Sequence, residues 1–202
     1  MKGNNSLSNQ ELAKYSEEHL LYEINMLFWT ASILSYLAPI ANKGEIANAL
    51  SNSLLNSFSV HARNLIGFLY SRQNSSDYPT DVVLEDYVQD PDYLNSLPPI
   101  TDLLVQAKTK TDKQVSHLTL ERIAYEKQDK EWKFVAIYQD IMKAFFAISH
   151  LFQVEKTSAA FAAAIKRQSV AVPRIEMEQI LENDHAVGLT LQTFLKREQT
   201  KP

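Results

Sequence analysis

Leu12-Ala-Lys-Tyr15-Ser-Glu-Glu-His19-Leu-Leu-Tyr22-Glu-Ile-Asn-Met26-Leu-Phe-Trp29 is the stretch that decides the fold class. Its large side chains recur in alternating steps of three and four. The series Leu12, Tyr15, His19, Tyr22, Met26, Trp29, Ile33, Tyr36 and Ile40 continues the rhythm. Such spacing predicts one helix of about eight turns with an apolar seam along it. Leu20, Leu21, Ile24, Leu27 and Phe28 widen the stripe, so more than one neighbour must cover it. Asn42-Lys43-Gly44 ends the helix, with Gly44 suited to a left-handed cap.

The rest of the chain carries the same signal. A second helix is predicted from Glu45 to Arg72, with Leu54, Phe58, Leu65 and Leu69 on one face and Leu55, Ala62 and Ile66 on its flank. Asn74-Ser75-Ser76-Asp77 and Pro79 mark a loop. Residues 73–99 read as irregular, with one short turn at Val82–Val88, and Pro98-Pro99 closes them. A third helix starts near Thr101. A fourth follows Phe134, Tyr138, Ile141, Phe145, Ile148 and Phe152. Ser158 is placed to cap another helix over Ala159–Ala164, which Pro173 stops. Two short amphipathic patterns, Ile175–Leu181 and Leu189–Leu195, complete the tail. Only four glycines occur, and hairpin turn pairs are missing. The expected fold is all-α: an antiparallel bundle of four main helices over residues 10–155, with a C-terminal helical extension over 156–202.

Composition removes several kinds of chemistry. The 202 residues contain no cysteine, which excludes disulfides, thiol catalysis and cysteine-ligated metals. A net charge of −4 argues against a long duplex as partner. The charge is uneven: Asp77–Asp102 holds seven acids and no Lys or Arg, whereas Lys108–Lys133 holds seven bases and five acids. Those segments read either as two solvated surfaces or as an acidic flap beside a basic site. Ile24–Asn42 is free of charge over 19 positions, yet Asn25, Thr30, Ser32, Ser35 and Pro39 favour a bundle helix over a membrane span. Met1–Asn9 lacks the apolar run of a signal peptide, so a cytoplasmic location is expected.

Two polar stretches stand out. The first is His61-Ala62-Arg63-Asn64-Leu65, inside the second helix. On a regular helix His61 lies about 40° from Leu65, at the edge of the core, while Arg63 lies about 160° away. The structural reading pairs Arg63 with Glu23, Glu85 or Asp86 and hydrogen-bonds His61 in the core; the functional reading turns one or both toward a cleft. The second stretch is Lys113-Gln114-Val115-Ser116-His117-Leu118-Thr119, followed by Arg122. Lys113 and His117 share a helical face if the third helix continues through them. A histidine that moves protons beside a cation that holds a phosphoryl oxygen suits metal-independent RNA cleavage by the 2′-hydroxyl.

No phosphate-cradling glycine loop or nucleophile elbow is present. The five histidines are too far apart in sequence for a local metal motif, so no metal or cofactor is expected. Asp81, Glu85 and Asp86 read as solvated loop acids before they read as a cation site. His19 and His150 read as core histidines. Tyr15, Tyr22, Trp29 and Tyr36 read as core before they read as a ligand pocket.

A helical bundle with a late polar motif ending in histidine resembles the HEPN superfamily. Its domains typically carry an arginine, a polar residue, about three variable residues and then the histidine, and they often pair so that two copies form one RNase site. The matching window is Asp112-Lys113-Gln114-Val115-Ser116-His117. Asp112 stands where the resemblance places the arginine. Either Lys113, Arg63 or Arg122 supplies the missing charge, or the chain is a non-catalytic relative. The chain is also similar to bacterial all-helical proteins that share the His-Ala-Arg-Asn-Leu and Lys…His-Leu-Thr stretches. The resemblance implies a homodimer that binds RNA, a nucleotide or a protein partner, or an RNase of toxin or defence type using His117, Lys113, Arg63, Arg122 and His61.

Overall fold

A computed structural model of the chain describes residues 7–37, 45–71, 81–115 and 131–166. Helix α1 (Asn9–Tyr15) passes through a π-helical turn, Ser16–Leu20, into α2 (Leu21–Leu37). Helix α3 spans Glu45–Tyr70. A 3₁₀ turn at Leu84–Asp86 and the short α4 (Tyr93–Ser96) precede α5 (Asp102–Lys110), which continues into a second π-helical turn, Thr111–Val115. Helix α6 (Phe134–Ile148), a 3₁₀ turn at Val154–Lys156 and α7 (Ala159–Ile165) follow. Among the described residues there is no strand, only an isolated antiparallel bridge between Val88 and Phe152. The fold is all-α.

The caps follow their sequence signals. Ser8 accepts from the Glu11 backbone N–H, and the Glu11 carboxylate accepts from the Ser8 N–H at 2.8 Å. The Ser8 hydroxyl also donates to that carboxylate at 2.7 Å, and this bond first, with the Ser8 N–H second, holds the Glu11 carboxyl below its usual value. Thr101 caps α5 and Ser158 caps α7 by accepting from the Leu104 and Phe161 N–H groups. Asp86 holds the 3₁₀ turn by accepting from the Val83 N–H at 2.8 Å.

The seam of the first helix differs from its expectation. Leu12, Ser16, Leu20, Ile24, Leu27, Ala31 and Leu34 are the inward side chains. Tyr22 and Trp29 are 52% and 45% exposed, and Met26 and Ile33 are half-buried. The cause is the π turn. Leu12, Ser16, Leu20 and Ile24 step by four, and twelve residues of regular α-helix would leave Ile24 about 120° out of line with Leu12. The extra residue of a π turn absorbs about 100° of that drift, so the four stay in one row. The same shift leaves His19 on the surface rather than in the core. His150 is exposed as well, because α6 ends at Ile148 and the chain turns there.

Helix α3 matches its predicted face from Phe58 onward, while Leu54 and Leu55 are half-buried. Phe58, Ala62, Leu65, Ile66 and Leu69 are all at or below 1% exposure. Helix α2 packs most extensively on α3; α6 packs on α2, α3 and α5, and α5 on α3. Phe145 of α6 stacks on Phe68 of α3, with ring centroids 5.9 Å apart, and meets Phe161 of α7 edge-on. Phe161 and Ile165 belong to the same core cluster, so α7 packs into the common core.

The segment expected to be irregular is well organised where described. Tyr87 is fully buried and donates its hydroxyl to the Leu12 carbonyl at 2.9 Å. Burial pushes its ionisation far above the usual tyrosine range. Lys156 donates to the Asp86 carbonyl, and the Gln153 N–H donates to the Tyr87 carbonyl. No described helix is long and apolar enough to cross a membrane.

Candidate functional site

A cleft of about 450 Å³ opens between the first helix, the C-terminal half of α3, α5 and the chain at Asp81-Val82. Three ladders of four-residue steps build its walls. Tyr15, His19 and Glu23 run along the first helix across its π turn. Arg63, Gly67 and Ser71 run along the end of α3. Lys108 comes from α5, and Asp112 lies one step further, in the second π turn. Asn64 and Asp81 complete the polar lining, and Leu20, Leu65 and Phe68 reach it from the core.

Each wall has a physical reason to stand where it does. The Tyr15 and His19 rings lie 4.7 Å apart at 51°, a tilted pair. Burial, with the negative charges of Glu23 and Asp81 adding to it, raises the Tyr15 pKa. Glu23 bridges two helices: Oε2 lies 2.8 Å from His61 Nδ1, and Oε1 accepts from Asn64 Nδ2 at 3.3 Å. Arg63 Nε donates to Asp112 Oδ1 at 2.5 Å, tying α3 to the π turn after α5. Gly67 has open space where a Cβ would stand, with no heavy atom within 4 Å. Buried hydroxyls anchor both π turns. Ser16 donates to the Ala13 carbonyl and accepts from the Ser158 N–H. Thr111 bonds the carbonyls of Ala107 and Ser59.

The residues singled out in the sequence fall in different places. His61 is 8% exposed, bonded to Glu23 and edge-on to the Tyr22 ring at 5.6 Å; it does not line the cleft. Arg63 does line it, and its carboxylate partner is Asp112 rather than Glu23, Glu85 or Asp86. The structure therefore does not bring His61 and Arg63 to a common partner. Lys113 sits beside Asp112 in the second π turn. His117 and Arg122 lie outside the described residues.

Glu85 accepts from the Tyr93 hydroxyl at 2.7 Å. Among the described residues no group of three or more His, Asp or Glu is arranged to hold a metal ion.

Sequence reading missed Tyr15, His19, Glu23, Gly67, Asp81 and Lys108 as neighbours. The four-step spacing of Tyr15, His19 and Glu23 was the available signal. Assigning Tyr15 and His19 to the core seam concealed it. Comparison of the chain with protein-family models, curated proteins and solved structures finds no match.

Proposed function

We propose that this chain is a HEPN-like helical binding module, without catalysis, whose cleft takes a nucleotide, and that its main helices run antiparallel. One observation carries the reading: two cations and an aromatic pair share one small cleft. Arg63 and Lys108 offer charge and hydrogen bonds to a phosphate. Tyr15 and His19 offer ring faces to a base. Glu23, Asn64, Ser71 and Asp81 supply the polar contacts that orient a sugar and a base edge. A volume of about 450 Å³ lies at the lower end of small-ligand sites, which run from about 300 to 1,000 Å³, and so favours a single nucleotide over a larger cofactor. The Arg63–Asp112 pair supports the absence of catalysis, because the aspartate at the motif's expected arginine position also engages a nearby cation.

Titration calorimetry with the four ribonucleoside monophosphates, inorganic phosphate and a short single-stranded RNA tests this. Monophosphates are expected to bind. Lys108→Ala should weaken them about tenfold, the loss of one charged hydrogen-bonding partner. Gly67→Leu is the sharper variant, because its side chain enters open space instead of the core. It should abolish binding without lowering the melting temperature. Absence of nucleotide binding, or full binding by Gly67→Leu, overturns the proposal. The RNase alternative rests on His117 with Lys113, Arg63 or Arg122. RNA cleavage in EDTA by the wild type, lost in His117→Ala, would establish it and displace the non-catalytic reading.

A further inference from the structure

The row of side chains that the π turn rotates out of the core forms a second apolar stripe. Tyr22, Met26, Trp29 and Ile33 step by four, three and four along α2, one continuous face of a helix. The stripe is held on a firm base. Tyr22 meets the His61 ring, and Trp29 lies edge-on to Phe28 at 5.1 Å, which itself packs on Tyr138 of α6. Two half-exposed aromatic rings in register on one helix are more than the scattered apolar exposure of an ordinary surface.

We propose that this stripe is the docking surface for the chain's own C-terminal segment. Three observations select that occupant. Helix α7 packs on α2 and on the Ser16–Leu20 turn, so the chain leaves Lys166 beside the helix that carries the stripe. The chain from Lys166 to Pro202 carries the two amphipathic patterns, with Met177, Ile180 and Leu181 in one and Leu191, Phe194 and Leu195 in the other. Nine extended residues from Lys166 to Ile175 reach about 30 Å, more than the roughly 25 Å length of the 17-residue α2. Area favours this occupant over a second copy docked on the stripe alone. Four partly exposed side chains, two of them half-buried, offer well under the roughly 800 Å² per partner in a stable association of separate chains. A tethered segment needs less, because its local concentration is in the millimolar range. Short amphipathic segments dock on helix faces in this way through anchors three and four residues apart.

The test uses the full chain, which contains two tryptophans, Trp29 and Trp132. In a Trp132→Phe background Trp29 alone fluoresces. Replacing Leu191, Phe194 and Leu195 together by Ser in that background should raise acrylamide quenching at least twofold and shift emission to the red. The protection in the parent should hold over a hundredfold dilution. Because the chain lacks cysteine, Trp29→Cys in an otherwise unaltered protein gives an independent reading: its thiol should react several-fold faster when the three tail residues are replaced. Equal quenching and equal thiol reactivity with and without those residues overturn the proposal. Protection that fades on dilution also overturns it and assigns the stripe to a second copy.

Discussion

At the scale of single residues, two neighbouring carboxylate contacts of α3 play opposite parts. His61 and Glu23 have side chains only 10% and 20% exposed, and the pair joins two helices. Glu23→Ala strips a buried imidazole of its partner and should cost about 1–3 kcal/mol in chemical denaturation. Arg63 and Asp112 are 33% and 37% exposed, so solvent screens them. Arg63→Ala should change stability by less than about 1 kcal/mol while removing nucleotide binding. Gly67→Ala should raise stability by about 0.4–1 kcal/mol, since the helix loses a flexible residue and the methyl meets nothing. Of these facts the sequence showed that His61 and Arg63 point apart, and it left open whether His61 stays with the core or turns to a cleft. It could not name Asp112 as the partner of Arg63, because that contact joins residues 49 positions apart across helices whose relative placement no local pattern encodes.

At the scale of elements, the helices were legible and their phase was not. α3 and α6 carry one dominant apolar face each, so their spacing gave most of the inward residues, but the α6 pattern ran on to Phe152, past the helix end at Ile148, where Phe152 instead bridges Val88. α2 is apolar nearly all round, and both Leu20-Ile24-Leu27-Ala31-Leu34 and Tyr22-Met26-Trp29-Ile33 read as seams. The π turn chooses between them, and periodicity counted at 3.6 residues per turn cannot register it. The candidate cleft went unread for a related reason, since Tyr15 and His19, which line it, were counted into the core seam. Ser16 fastens that register. Its hydroxyl is wholly buried and accepts from the Ser158 N–H at 2.8 Å. Ser16→Ala leaves that N–H without its partner and should cost about 1–3 kcal/mol, readable as a lower urea midpoint. The α4 helix, four residues long, escaped notice because it is too short to show a period.

At the scale of the whole molecule, one core cluster runs from Leu12 to Ile165, and Tyr87 sits within it, bonded to the first helix. Tyr87 is raised by burial first, with Tyr15 and Asp86 adding to it; Tyr70 is raised by burial and Asp140. A tyrosine whose folded pKa exceeds its unfolded value near 10 binds its proton more tightly in the native state. The stability it supplies is complete below about pH 10 and is lost as pH climbs toward the folded value. The wild type should therefore lose stability above pH 10 more steeply than Tyr87→Phe, measured as melting temperature against pH. The all-helical character was written plainly in the sequence; how one helix is turned against the others was not. That turning hangs on a single surplus residue. Excising one of the surface acids Glu17 or Glu18 would relax Ser16–Leu20 to an ordinary coil of helix and leave Ile24 eleven residues from Leu12, within about 20° of the same line. The same side of the rod would still face inward after that one-codon shortening; only a turn that tightened with every residue kept would carry the inner row about 120° away.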